Sequence, residues 1–227
     1  MGAVHFSLDE TLLLFLKEQL PLALFVETGT FQGDTLALAR RHVARCESVE
    51  LSPQLFAQAR RRFAGDAGAE LACGPSPEFL RERRARHQAA PALFWLDAHW
   101  CVADQAGGAD SQSPLLEEMA AIERLHPDSA LLIDDARLYL CPPPKPHRLG
   151  DWPDWHDITR ALTALSPAHR AVVFNDVIVF YPARIRPAIE RHMQQHGVDW
   201  LKLARDAARH RERKARWNWL RLGRKKS

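Results

Sequence analysis

The sequence predicts an α/β protein with a doubly wound, seven-stranded and mostly parallel sheet, a closing C-terminal antiparallel hairpin, and helices at both termini. Three observations lead there. Short apolar runs alternate with helical patterns from residue 22 onward, as expected of parallel strands covered on both faces. The stretch Phe25-Val-Glu-Thr-Gly-Thr-Phe-Gln-Gly-Asp34 delivers an acid and two glycines into a helix start, which is how a strand-turn-helix ligand pocket is built. Near the other end, Arg170-Ala-Val-Val-Phe-Asn-Asp-Val-Ile-Val-Phe-Tyr181 holds two apolar strands joined at Asn175-Asp176, a tight hairpin that adds an antiparallel strand.

The elements follow in order. Ser7 to Leu20 begins with a capping pattern, has an apolar stripe and stops at Pro21, so it is a helix. Strands are expected near Ala23 to Glu27, Ser48 to Leu51, Glu70 to Ala72, Ala92 to Asp97 and Ala130 to Asp134. Helices are expected over Asp34 to Val43, Pro53 to Phe63, Pro77 to His87, Pro114 to Leu125 and Trp155 to Leu165. Helical periodicity returns from Val198 to Arg224. This divides the chain into an N-terminal helix (1–21), a ligand-binding domain (22–182) and a helical, basic C-terminal extension (183–227).

Glu50 closes a second apolar run, Cys46-Glu-Ser-Val-Glu-Leu51, about where a doubly wound fold places a carboxylate for the hydroxyl pair of a ribose. The glycine loop is E-x-G-x-x-x-G, whereas a dinucleotide fingerprint is G-x-G-x-x-G. A carboxylate at Glu27 suits a cationic ligand better than a pyrophosphate. Glu27-Thr-Gly29-Thr-Phe-Gln-Gly33 followed by Val49-Glu50-Leu-Ser-Pro resembles the cofactor loop of class I S-adenosylmethionine-dependent methyltransferases. The resemblance spans roughly residues 22–182. It implies S-adenosylmethionine as cofactor, its methionine half beside Glu27, Thr28, Gly29, Thr30 and Gly33, its ribose on Glu50 next to Leu51, and its adenine under the turn at Ser76. Members of the family usually have an acid where Pro75 stands here, so that hydrogen bond needs another source, Ser76 being the nearest. Ser76 also fits a helix cap ahead of Pro77.

Phe94-Trp-Leu-Asp97-Ala-His99-Trp100 ends the fourth strand and Leu131-Leu-Ile-Asp134-Asp135 the fifth. Ligands bind outside the carboxyl ends of such strands, so these acids face the same crevice as the glycine loop. Oxygen donors on adjacent strand ends are what a hard cation takes. The constellation looks like the magnesium site of metal-dependent O-methyltransferases of the catechol and macrolide-sugar type, which implies Mg2+ on Asp97, Asp134 and Asp135. His99, with an unperturbed pKa of about 6.5, is the candidate base. A metal-free reading stands beside it, in which Asp97 contacts the substrate or the methionine amine and Asp134 and Asp135 cap the following segment. The glycine-containing stretch 101–113 is a candidate lid, and Pro142 to Trp155 is either an acceptor wall or an aromatic anchor. Glu117 and Glu118, just inside the next helix, either reach back toward His99 or the metal or lie on a solvated helix face, and the second reading is favoured.

Composition sets the outer bounds. The charged fraction is 26% and the net charge +3, with the excess of Arg and Lys between Arg205 and Lys226. The cysteines Cys46, Cys73, Cys101 and Cys141 have no CxxC spacing, which argues against a zinc site or a disulfide scaffold. No run approaches the ~20 apolar residues of a membrane span, so a cytoplasmic enzyme is expected. The basic amphipathic tail with Trp217, Trp219, Leu220 and Leu222 fits a peripheral contact with an anionic membrane or another polyanion, or burial in a homodimer. The expected activity is O-methylation of a hydroxyl on a small molecule or a sugar or glycan precursor. The rivals are methylation of nucleic acid or protein, for which the tail is the only argument, and a non-catalytic cofactor-binding scaffold.

Overall fold

A computed structural model describes residues 8–100, 111–199 and 201–211. Helix α1 (Glu10–Gln19) leads into strand β1 (Leu24–Thr28), α2 (Asp34–Arg40), β2 (Cys46–Glu50), α3 (Pro53–Arg62), β3 (Ala69–Cys73), α4 (Ser76–Ala89) and β4 (Ala92–Leu96). The second half runs α5 (Leu115–Ile122), β5 (Ala130–Ile133), the short α6 (Arg137–Leu140), α7 (Trp155–Leu165), β6 (His169–Phe174), β7 (Val177–Pro182) and α8 (Arg186–His196). A further helix covers 201–211.

The strands form one seven-stranded sheet in the order β3-β2-β1-β4-β5-β7-β6. β1 to β5 are parallel, and β7 pairs antiparallel with both β5 and β6. This is the predicted architecture. Side chains of the central strands alternate between two cores, as a sheet buried on both faces requires. Val26, Phe94, Leu96, Leu131 and Ile133 pack with Phe79, Leu80, Met119, Ile158 and Leu162 of α4, α5 and α7. Phe25, Leu93, Trp95 and Leu132 pack with Leu12, Leu13, Leu16, Leu36 and Ile189 of α1, α2 and α8. The edge strands β3 and β6 are only partly covered.

Local differences from the expectation have identifiable causes. Ser7 lies outside the described residues, and α1 is capped by Asp9, whose side chain accepts from the Thr11 amide at 2.8 Å. Ser76 is not a cap. Pro75 occupies that position with no side-chain cap bond, and Ser76 is the first helical residue of α4 and buried. Asn175 and Asp176 take φ of 48° and 72°, the left-handed pair a two-residue hairpin turn demands. The Asn175 amide donates to His196 O at the end of α8 and its carbonyl accepts from Val198 N, so the hairpin tip clasps that helix. Cys46, Cys73 and Cys141 are free thiols, while Cys101 and most of the candidate lid fall outside the described residues. So do the tail residues Trp217, Trp219, Leu220 and Leu222. No described helix is long and apolar enough to cross a membrane.

Candidate active site

The chain order reverses between β1 and β4, where an open α/β sheet forms its ligand crevice. The turn after β1 hangs on β2: the Gly29 and Thr30 amides both donate to Val49 O, at 3.0 and 3.2 Å. Gly29 has φ of 82° and lies so close to the end of β4 that a Cβ there would be 2.3 Å from Asp97 O. Only glycine meets both demands. Gly33 (φ 78°) is the N-cap of α2. Glu50, at the tip of β2, receives the Phe31 amide at 2.7 Å on one oxygen and the Ser52 amide at 2.8 Å on the other. It therefore fixes the glycine loop at the place where a ribose is expected. Leu51 is half exposed beside it.

Glu27 is buried and takes a hydrogen bond from the Ser48 hydroxyl, which in turn pairs with the Thr30 hydroxyl at 2.6 Å. Burial pushes the Glu27 carboxyl up to about 8; the Ser48 hydrogen bond opposes this and the charge of Glu50 adds to it. Thr28 is buried at the end of β1, where its carbonyl accepts the Asp97 amide at 3.1 Å. Ser48 escaped the sequence reading. Its signal was its position two residues before Glu50, on the same face of β2.

At the ends of β4 and β5, Asp97, His99 and Asp135 converge. His99 Nε2 lies 3.3 Å from Asp97 Oδ1 and 3.5 Å from Asp135 Oδ2. Its Nδ1 faces Trp100 O at 3.4 Å, which assigns the N–H to that side and leaves Nε2 as the basic nitrogen. Burial lowers the His99 pKa, partly opposed by the Asp135 charge, so the ring is neutral near pH 7. Asp97 is raised by burial and by the Asp134 and Asp135 charges, and Asp134 is raised to about 7 by burial and by Asp135. Asp134 does not share the arrangement around His99, because its Oδ1 turns to accept the Asp135 amide at 2.8 Å. Asp135 (φ 54°) is held instead by Arg137 Nη1 at 2.6 Å. Arg137 is also bound by Asp176 of the hairpin turn through backbone and side chain. Neither Arg137 nor Asp176 was anticipated, since their pairing crosses 39 residues.

Among the described residues, no group of three or more His, Cys, Asp or Glu is placed to hold a metal ion. The side chains at the β4 and β5 ends are oxygen donors of the kind a hard cation takes, and Asp97 and Asp134 are raised first by burial and then by repulsion from neighbouring acids. In this structure Arg137 supplies the positive charge there.

The segment after β5 anchors more than it displays. Trp152 is buried in the core, donates to Gln112 Oε1 at 3.1 Å, and lies 5.6 Å from the His99 ring. The same Gln112 oxygen accepts the Arg148 amide at 2.7 Å, and the Gln112 amide donates to Asp151 at 3.1 Å, so the stretches flanking α5 and α7 are tied together. His147 stacks edge-on to both Trp100 and Trp152. Glu117 is exposed as expected. Glu118 is not: it is 1% exposed, with Ser76 and Thr28 bonded to its carboxyl.

No family model matches this chain, and no curated protein matches it in sequence. Solved structures do match in fold. DesVI of Streptomyces venezuelae superposes with a TM-score of 0.50 at 12% identity over 77% of this chain and 91% of that one. N-methyltransferase NodS of Bradyrhizobium japonicum WM9 gives 0.45 at 14% identity, covering 76% of this chain and 93% of that one. Spermidine synthase of Thermotoga maritima gives 0.48 at 14%, covering 74% and 55%. At such identities the likeness concerns the fold alone. Together with the strand order, it establishes the class I methyltransferase topology for this chain.

Proposed function

We propose that the chain transfers the methyl group of S-adenosylmethionine to a hydroxyl on a small molecule or a sugar or glycan precursor. The observation behind this reading is the concentration of buried acid around a switch-point crevice: Glu27, Asp97 and Asp134 are all raised well above the usual carboxylate range, first by burial and then by neighbouring carboxylates. Bound there, S-adenosylmethionine would bring an ammonium, a sulfonium and an electrophilic methyl. Glu27 suits the ammonium, and the Glu50 carboxylate at the tip of β2 suits the ribose hydroxyls. His99 takes the acceptor's proton onto Nε2 as the new O–C bond replaces the S–C bond. The resulting imidazolium lies between Asp97 and Asp135, which stabilise it. Asp97, Asp134 and Asp135 would hold a divalent cation during turnover, which would position the hydroxyl and lower its pKa.

Calorimetry with S-adenosylhomocysteine and turnover with a panel of hydroxylated acceptors test the reading. Glu50→Ala should lose cofactor affinity. His99→Ala should lower turnover by about 10²–10⁴-fold with affinity unchanged. Tight binding of NAD and none of S-adenosylhomocysteine would overturn it.

A further inference from the structure

Seven large apolar side chains of the described residues are exposed, and five of them gather toward one edge of the sheet. Phe31 and Leu51 lie in the turns after β1 and β2. Leu140 and Leu149 lie in the segment after β5, whose Trp152 packs 5.6 Å from the His99 ring. The fifth, Leu201, is 74% exposed at the start of the helix at 201–211. That helix is rooted at the same edge. Ile133 of β5 pairs with Ile178 of β7, so the Asn175-Asp176 turn lies beyond the carboxyl end of β5, where the Ala136 amide donates to Asp176 O at 2.7 Å. Asn175 holds His196 O and Val198 N, and Asp199 then accepts the Lys202 amide at 2.9 Å. The chain therefore leaves the domain beside Asp135 and Arg137, at the acceptor end of the crevice.

Charge is divided in the same way. Residues 199–227 hold eleven of the 31 Lys and Arg but three of the 28 Asp and Glu, which leaves the rest of the chain net acidic. Within 201–211, Leu201, Ala204 and Ala208 recur at helical spacing, with Lys202, Arg205 and Arg209 on the other side and exposed. The sequence carries the apolar spacing onward at Ala215, Trp219 and Leu222. A coiled-coil seam through Leu201, Ala204 and Ala208 would continue at Arg211 and Asn218, which disfavours pairing with a second copy. Exposed leucines beside the basic helix gain nothing from a phosphodiester backbone, whereas a lipid surface takes both apolar and cationic groups.

We propose that this edge docks on an anionic lipid bilayer. The helix at 201–211 lies along the headgroups with Leu201 inward and its Lys and Arg on the lipid phosphates, Leu140 and Leu149 enter beside it, and the crevice opens on the lipid surface. Charge draws the helix to the bilayer and the leucines hold it there. Docking of this kind needs neither the cofactor nor a particular acceptor.

The test sediments the full chain with vesicles of phosphatidylcholine alone and of phosphatidylcholine mixed with phosphatidylglycerol, and titrates it in parallel with a single-stranded RNA. The mixed vesicles should bind at least about tenfold more tightly than the neutral ones, and the difference should shrink as salt is raised. Arg205→Glu combined with Arg209→Glu should weaken binding to the mixed vesicles by about tenfold or more. These side chains are exposed, so the circular dichroism and the affinity for S-adenosylhomocysteine should stay as in the wild type. Leu149→Glu should weaken vesicle binding, and Leu14→Glu, a likewise exposed leucine on α1, should leave it unchanged. Equal effects of the two leucine variants would overturn the docked face. No preference for the mixed vesicles, or full binding by the charge-reversed variant, would overturn the docking itself, and tight RNA binding without vesicle binding would make the basic segment a nucleic-acid contact instead.

Discussion

Between β1, β2 and β3 the crevice is closed by short turns held through the backbone: Gly29 and Thr30 on Val49, and Gly74 on Glu50. Between β4 and β5 it is closed by long segments held through side chains, with Gln112 tying Arg148 and Trp152, and Asp176 gripping Arg137, which grips Asp135. The first region is a fixed cradle, since each contact follows from strand register and a permitted φ. The second depends on pairings between distant residues and has acids that repel one another. A common cofactor and a variable acceptor would call for that division, because loops set acceptor choice on a rigid scaffold.

The largest effect should come from breaking the cradle. Gly29→Ala forces a Cβ to 2.3 Å from a backbone oxygen at a left-handed φ, whereas at Gly74 the added methyl meets open space and only φ is disturbed. Denaturant unfolding should register a loss of about 3 kcal/mol or more for Gly29→Ala, against about 1 kcal/mol for Gly74→Ala. Equal losses would mean that the turn after β1 yields, and the contrast between the two regions would fail.

The second effect belongs to the acceptor side. Chelation should abolish turnover while leaving S-adenosylhomocysteine affinity nearly intact, magnesium should restore it, and Asp134→Asn should reproduce the chelated state. Full activity in chelator would reject the cation and leave His99 with Asp97 and Asp135 as the proton-handling set.

How much of this was legible in the sequence follows the same divide. Periodicity revealed every strand of the sheet, Gly29 and Gly33 declared themselves because a positive φ restricts which residues stand there, and Glu50 stood out as the acid that closes an apolar run. The ends of α4 and α5 misled. Ser76 ahead of Pro77 has a cap's local chemistry, yet its hydroxyl turns inward to Glu118. Glu118, next to the exposed Glu117, has a solvated acid's local context. Its burial depends on where α5 packs against α4, which local sequence does not encode. Asp135, Arg137 and Asp176 form one unit only once β7 inserts between β5 and β6.

The smallest effect, and the one that ties the two regions together, is the pH dependence of stability without ligand. Glu27 is raised to about 8, and Asp134 and Glu118 to about 7, each mainly by burial. Between their ordinary values near 4 and these raised ones, the folded chain keeps protons that the unfolded chain has released. Stability therefore falls as pH rises through that window, because the native state binds the more protons. The Tm of the ligand-free wild type should be highest near about pH 5 and decline toward about pH 8, with each kcal/mol worth about 2–4 °C in a chain of this size. Glu27→Gln should flatten the upper part of the decline, leaving the part below about pH 7 to Asp134 and Glu118. S-adenosylhomocysteine, whose ammonium would stabilise the ionised Glu27, should raise Tm more at about pH 7.5 than at about pH 5.5, and that difference should vanish in Glu27→Gln. A flat Tm profile in the wild type would show that these acids are satisfied without a cation. That result would remove the electrostatic ground for a cationic ligand in the cradle and for a metal on the acceptor side.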